Sequence, residues 1–486
     1  MKIISNFLNS INKEISFSAD RNFIVGHDEN ISYQKLEDKV LSFANYFITS
    51  NISRKKIAPI LCSNSSDYIT SILALWMLGA IPIPLNTRLS VSEIEEQLSF
   101  LGSNCLIIDL AAKEKVSKIK SEKILIPPSS PIVKIEFENF HCNENETALI
   151  MFTSGSSGKP KAVELSFSNL IHSAKIGNKY LMQTSEDRWL ASLPFYHIGG
   201  FSIIFRALMF GSQIILPAEL KLPSIIKSIR EFKPTLISLV SSQMIELLKH
   251  DIKPPADLRH VLLGGGFIDS NLMHKALKKG WKVSKVYGST ETSSFITVLN
   301  PDDFLKKPES VGIPIPPNKI FIHDENGNEL PPNSEGEIIV EGPSIMKGYW
   351  KDIETTNQRL KNNLYLTGDI GYKDKDGYLY LVNRRTDLIV SGGENVNPIE
   401  VENAITRFHK VKDVCVFGIN DVTWGQRVVA AVVPNSNEKF SLSELKIFLR
   451  KKLAQFKIPK EIYFVDELPK TELGKIKREE VRKLFS

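Results

Sequence analysis

From Ile31 to about Leu110 the chain alternates between two hydrophobic periods. Leu36 to Ile48 carries apolar residues at helical spacing. Ile57 to Leu61 is a short unbroken apolar run suited to a buried strand, and Asp67 to Gly79 returns to the helical period with Gly79 as its stop. Strand-like runs recur at Cys105 to Asp109, Ala148 to Phe152, Gln213 to Leu216, Leu236 to Val240 and His260 to Leu263, with helical stretches between several of them. This alternation predicts an α/β architecture with largely parallel sheets.

Beyond Pro308 the texture changes. The turn sequences Asp324-Glu-Asn-Gly327, Pro331-Pro-Asn-Ser334 and Asp374-Lys-Asp-Gly377 separate the short runs Ile320 to His323, Gly336 to Glu341 and Tyr378 to Val382, which predicts antiparallel hairpins and a distorted β-barrel. After Asn383 the pattern predicts a helix over Pro398 to Phe408, strands over Val411 to Gly418 and Val428 to Val433, a helix from Ser441 to about Leu453 and a strand near Ile462 to Val465. That is a compact α+β unit of about a hundred residues.

Composition excludes more than it selects. The 486 residues, 42% hydrophobic and 24% charged, suit a globular protein of about three domains. Lys and Arg exceed Asp and Glu by 61 to 55, a net +6. The basic runs Lys446 to Lys452 and Lys470 to Lys477 read as solvated faces or tails, so no nucleic-acid partner is expected. Cys62, Cys105, Cys142 and Cys415 are too scattered for a disulfide framework or a zinc site. Met1 to Ser18 lacks a continuous signal-peptide core, and the most apolar stretch, Tyr68 to Leu85, is broken by Pro82 and Pro84. No membrane span is expected, and the expected compartment is cytoplasmic.

The most informative stretch is Thr153-Ser-Gly-Ser-Ser-Gly-Lys-Pro-Lys161, directly behind the apolar run Ala148 to Phe152. Gly155 and Gly158 allow close backbone approach to an anion, Thr153, Ser154, Ser156 and Ser157 offer hydroxyls, and Lys159 and Lys161 bring positive charge. The spacing differs from a Walker A loop, because two residues separate the glycines and Pro160 follows Lys159. A flexible Ser/Gly linker is the alternative reading.

Together with Tyr287-Gly-Ser-Thr-Glu291, Tyr365-Leu-Thr-Gly-Asp369, Asn383-Arg-Arg-Thr-Asp387, Ser391-Gly-Gly-Glu-Asn-Val-Asn-Pro398 and Pro469-Lys-Thr-Glu-Leu-Gly-Lys475, that stretch resembles the adenylate-forming superfamily of acyl-CoA synthetases, luciferases and peptide-synthetase adenylation domains. The motifs stand in the family's order over nearly the whole chain. The resemblance implies a large N-terminal domain, 1–383, of two α/β subdomains plus the distorted β-barrel, and a small mobile α+β domain, 384–486. It implies ATP, Mg2+ and CoA as cofactor or co-substrates.

Residue by residue, the resemblance implies that Tyr287, beside Gly288, stacks on adenine, that Thr290 bonds the α-phosphate and that Glu291 holds Mg2+, a hard cation suited to oxygen ligands. Asp369 would accept two hydrogen bonds from a ribose diol. Arg384 would contact ribose or phosphate, Thr386 would be the hinge, and Gly392 and Gly393 would line the CoA tunnel. Lys475 would bridge the substrate carboxylate and the nucleotide, its mobile point charge suiting charge that shifts between oxygens. Without the resemblance, Glu291 reads as a helix cap, Asp369 as a turn residue, Gly392 and Gly393 as a tight turn and Lys475 as part of a solvated tail.

The segment Ser192-Leu-Pro-Phe-Tyr-His-Ile-Gly-Gly-Phe201, followed by Arg206 and by Leu262-Leu-Gly-Gly-Gly266, looks most like the o-succinylbenzoate-CoA ligases of menaquinone biosynthesis. His197, Gly264, Ser289 and Ser294 would then lie at the acyl site, with Gly265 on the nucleotide side, although His197 also reads as a core histidine. Arg206, in an apolar run from Phe201 to Phe210, would recognise the substrate's second carboxylate, since a buried cation needs a partner. Phe295 stands where members of that group usually carry Gln. The expected partners are small molecules, a carboxylic acid with ATP and CoA, and the sequence leaves a homodimer open. Another aryl- or medium-chain acyl-CoA synthetase and a carrier-protein-loading adenylation enzyme are the alternatives.

Overall fold

The computed structural model describes residues 19–128, 143–153, 161–266, 268–383, 388–421, 424–435, 440–470 and 476–485. The alternating first half builds two sheets. Strands Ile81–Pro84, Ile57–Leu61, Cys105–Ile108 and Glu122–Leu125 lie side by side in that order, all parallel. The second sheet has nine strands. Its centre runs from Val283–Ser289 through His260–Leu263, Leu236–Leu239, Arg188–Leu190 and Gln213–Leu216 to Asn22–Gly26, and it is parallel throughout. These strands are covered on both faces, which is why they appear in the sequence as unbroken apolar runs.

The edges of that sheet turn antiparallel, at Ser294–Leu299 and Ile313–Pro314 on one side and Asn30–Ser32 on the other. Chain length dictates this. The link from Ser289 to Ser294 is far too short for the crossover that a parallel neighbour requires.

Thr147–Thr153 pairs antiparallel with Lys161–Ser166, and Gly348–Tyr349 adds across it. Thr153 and Lys161 are register partners, so both described flanks of the Ser/Gly-rich stretch meet at one point. The distorted barrel takes the form of a five-stranded antiparallel sheet, in which the long strand Leu364–Lys373 pairs with Gly336–Glu341, Leu360–Lys361 and Leu379–Asn383, and Lys319–His323 closes the far edge.

In the C-terminal unit Gly425–Pro434 is central, antiparallel to Val411–Asp421 and parallel to Glu461–Phe464, with the hairpin Ile389–Ser391 and Glu394–Val396 at its side. Its core, including Val401, Ile405, Val416, Val428, Leu445 and Leu449, draws only on residues beyond 388. Two of its helices, Pro398–Ile405 and Leu442–Leu449, end earlier than the periodicity suggests. After the second one the chain tightens into turns, with the amides of Lys452 and Leu453 both donating to the Leu449 carbonyl.

One buried helix matters most for the site. Ile198–Phe210 is apolar on nearly every face, is buried along most of its length, and ends at Gly211 in the left-handed region (φ 69°). Arg206 is its single charged residue. Among the described residues no helix is long and apolar enough to cross a membrane.

Candidate active site

A cavity of about 1010 Å³ opens at the carboxyl ends of the central strands, the usual ligand position in an open α/β sheet. Thr153, Lys161, His197, Arg206, Gly264, Gly265, Tyr287, Gly288, Ser289, Thr290, Glu291, Ser294, Asp369, Gly392 and Gly393 all line it. The remaining residues singled out in the sequence, Ser154 to Lys159, Arg384, Thr386 and Lys475, lie outside the described residues.

On one side of the cavity, hydroxyls and carboxylates are bonded to each other. Tyr287, near the end of strand Val283–Ser289, donates through its hydroxyl to Asp369 Oδ2 at 2.8 Å. Asp369 follows Gly368, whose φ of 78° puts a kink into the long strand, and its amide donates to Thr367 Oγ1 at 3.0 Å. Glu291 is buried and caps no helix, since the next element is strand Ser294–Leu299. Its Oε1 accepts from the Tyr349 hydroxyl at 3.0 Å, and Lys161 Nζ lies 5.1 Å from the centre of the same Tyr349 ring. Thr290 faces the cavity from the turn between the two strands, where its carbonyl accepts from the Ser293 amide at 2.9 Å.

That turn ends in two non-glycine residues at positive φ, Ser293 (58°) and Ser294 (123°), a costly conformation that surrounding bonds must hold. Three such bonds are present. Ser173 Oγ donates to the Ser293 carbonyl, Ser293 Oγ to the Ser344 carbonyl and Thr292 Oγ1 to the Ser294 carbonyl, each at 2.7 Å.

Elsewhere on the cavity wall, Arg206 is 2% exposed. Its guanidinium lies 4.6 Å from the Phe295 ring centre and 5.7 Å from that of Trp189, and one NH group donates to Ser202 Oγ at 3.2 Å. Among the described residues its Nε and second NH group have no hydrogen-bond partner and no acidic neighbour, and burial pushes its pKa down to about 9. Arg206 therefore stays a cation at neutral pH. Gly177, on helix Phe167–Leu181, makes room for this arrangement: a Cβ there would lie 3.0 Å from Phe295 Cζ and 3.3 Å from the Arg206 NH group. Phe295, unusual by sequence, is thus one of the two aromatic faces on the cation.

Gly392 and Gly393 join the hairpin strands Ile389–Ser391 and Glu394–Val396 with φ of 61° and 83°, the double left-handed turn of a tight hairpin. The tight-turn reading therefore holds, and both glycines also line the cavity. Gly392 packs on the Trp424 ring and Gly393 on Val240. Lys460 Nζ lies 5.3 Å from the Trp424 ring centre.

Glu394 is the residue that sequence reasoning missed. It is buried at the cavity wall, where Oε2 accepts from Asn86 Nδ2 at 3.0 Å and bonds His197 Nε2 at 3.1 Å, while Oε1 meets an Arg88 NH group at 3.1 Å and the Tyr196 hydroxyl at 3.4 Å. Burial works to raise its pKa, but His197, Arg88 and Asn86 outweigh that and hold it below the usual range. His197 is accordingly a cavity residue tied to the C-terminal unit and not an enclosed core histidine. The available signal was a lone acid directly after two glycines, but its partners lie about 200 and 300 residues away.

Comparison with known proteins adds to this geometry. Residues 13–350 match the AMP-binding enzyme family and residues 400–475 match the AMP-binding enzyme C-terminal domain. The 2-succinylbenzoate–CoA ligase of Bacillus mycoides (strain KBAB4) is 35% identical over 471 residues, 96% of each chain. The o-succinylbenzoate CoA synthetase of Bacillus subtilis, as a double mutant bound with its product analogue OSB-NCoA, matches at 31% identity over 98% of each chain with a TM-score of 0.92. The same enzyme in complex with the acyl-adenylate intermediate OSB-AMP matches at equal identity and coverage but with a TM-score of 0.75. The amide bond synthetase of Marinactinospora thermotolerans, 23% identical with a TM-score of 0.89, shares the fold. The chain belongs to the AMP-binding enzyme family.

Proposed function

We propose that this chain is a 2-succinylbenzoate–CoA ligase, which activates 2-succinylbenzoate as an acyl-adenylate and transfers the acyl group to CoA. The observation that carries the substrate assignment is Arg206, a buried cation on the cavity wall whose Nε and second NH group have no partner and which has no acidic neighbour among the described residues. A diacid supplies the missing charge. One carboxylate is activated, and the other meets the guanidinium directly or through water. The ligases at 35% identity favour the same acid.

In the first half-reaction the substrate carboxylate attacks the α-phosphorus of ATP and pyrophosphate leaves. Tyr287 and Asp369 hold the nucleoside, with the Asp369 carboxylate on the ribose diol. Thr290, Lys161 and Lys475, with the loop 153–161, steady the charge that develops on phosphate oxygens. Glu291, a buried carboxylate held by Tyr349, fits Mg2+ shared with nucleotide phosphates, and that ion supplies positive charge on the polyphosphate. In the second half-reaction the CoA thiolate enters past Gly392 and Gly393, attacks the acyl carbonyl and releases AMP. No enzyme cysteine takes part. The large domain, 1–383, carries the nucleotide and acyl sites, the small domain, 384–486, brings Lys475 to the first step, and it then turns about Thr386 to serve the second. The enzyme works in the cytoplasm, on the route to menaquinone.

The test is ATP–pyrophosphate exchange with o-succinylbenzoate, benzoate and octanoate side by side. Exchange with o-succinylbenzoate alone is the expected result, and equal exchange with benzoate or octanoate would refute the diacid assignment.

A further inference from the structure

A second buried charge cluster lies away from the cavity, where the C-terminal unit meets the helix Val91–Leu101. Lys457, in the short turn Gln455–Lys457, places Nζ 2.6 Å from Glu93 Oε1 and 2.6 Å from Glu400 Oε1. The side chains of Lys457, Glu93 and Glu400 are 8%, 8% and 17% exposed. Both acids stand in the first turns of their helices, Val91–Leu101 and Pro398–Ile405, where the helix dipole favours negative charge. Glu93 is further fixed by its capping box, with the Ser90 amide donating to Oε2 at 2.7 Å. Two helix ends thus direct carboxylates at each other across the seam, and one ammonium separates them. Burial works against that charge, but Glu400 and Glu93 outweigh it and hold the Lys457 pKa above its usual value.

The seam belongs to one of two arrangements. The Bacillus subtilis relative resembles this structure far more in its product-analogue complex (TM-score 0.92) than in its acyl-adenylate complex (0.75), at the same 31% identity and 98% coverage. The difference therefore lies in the placement of parts and not in sequence. Resting on the ligase reading above, we propose that Lys457 is a positioning residue for the thioester-forming half-reaction: by binding Glu93 and Glu400 together it holds the C-terminal unit where Gly392 and Gly393 face the cavity. Without Lys457 the two carboxylates confront each other in a buried seam, and the arrangement loses population.

The half-reactions are measured separately in the full chain, as ATP–pyrophosphate exchange with o-succinylbenzoate and as single-turnover conversion of supplied acyl-adenylate and CoA to thioester. Lys457→Met should slow the second by about tenfold or more through the smaller competent fraction, while exchange stays within about twofold. Lys457→Arg should recover most of the loss. Glu93→Gln, which leaves the Lys457 and Glu400 pair intact within its own unit, should show the same split more weakly, and it decides the matter if Lys457→Met does not fold. An equal fall in both half-reactions of Glu93→Gln, or no change in either, would overturn the proposal. Failure of the ligase reading would look different: wild type would give no exchange with the diacid.

Discussion

Two buried charges face the same cavity and are treated in opposite ways. Glu394, at the seam, is bonded by Asn86, Arg88, Tyr196 and His197, whereas Arg206 has Ser202 and two aromatic rings but, among the described residues, no acid. A buried charge is tolerated only when it is paired or hydrogen-bonded, so a saturated one closes a structure and an unsaturated one marks where a ligand's charge belongs. On the proposed function, the difference separates parts of the cavity that hold the protein together from parts that would select the substrate.

The comparison breaks most sharply at Arg206. Removing one partner of a buried charge pair costs about 2–5 kcal/mol. Arg206→Ala should therefore lower kcat/KM for o-succinylbenzoate by roughly a hundredfold or more, and leave monocarboxylic aryl acids unchanged or improved. Unchanged selectivity in pyrophosphate release would show that the guanidinium does not meet the second carboxylate.

Glu394 gives the next largest effect, and it depends on pH. Its pKa is depressed in the fold, so its bonds contribute stability above the ordinary glutamate value, and that contribution is lost as pH falls through the depressed one. Glu394→Gln keeps the shape and removes the charge, at a cost of about 1.5–3 kcal/mol at pH 7 for hydrogen bonds to a charged group. Unfolding in urea should show that gap at pH 7, and the gap should narrow as the pH falls below about 4. A gap that stays constant with pH would mean that the carboxylate's charge is not what joins His197 and Arg88 to the hairpin.

How much of this was legible in the sequence follows the same division. The parallel centre of the sheet, the buried helix around Arg206 and the tight turn at Gly392 and Gly393 were readable, because each is a local pattern with a local cause. Phe295 was readable as an odd residue but not as a partner, since its meaning depends on Arg206, Trp189 and Gly177, which only the fold brings together. Glu394 and Lys457 were unreadable in role, because their partners Asn86, Arg88 and Glu93 belong to a distant loop and helix start. The antiparallel sheet edge at Ser294–Leu299 could have been inferred from the short link before it.

A subtler test separates the aromatic support of Arg206 from its charge. Phe295→Leu removes one of the two aromatic contacts, worth about 1–2 kcal/mol in a dry site, so KM for the diacid should rise by roughly five- to thirtyfold with a smaller change in kcat. Gly177→Ala should also weaken binding, because the added Cβ meets Phe295 Cζ at 3.0 Å. In the double variant the smaller Leu relieves that contact, so the two losses should sum to less than expected from the singles. Strict additivity would show that Gly177 does not make room for the ring.

The smallest expected effect lies on the nucleotide side, at Tyr349. Tyr349→Phe deletes the hydroxyl that donates to Glu291 and keeps the ring whose centre lies 5.1 Å from Lys161 Nζ. Losing that hydrogen bond should cost about 1 kcal/mol, a roughly fivefold higher Mg2+ concentration for half-maximal pyrophosphate exchange at fixed ATP. The dependence on o-succinylbenzoate should not move, since the contacts of Arg206 are with Ser202, Phe295 and Trp189 and not with Tyr349 or Glu291. A shift in the acid dependence instead of the Mg2+ dependence would mean that Glu291 positions the acyl group and not the metal, and the division between the two parts of the cavity would have to be redrawn.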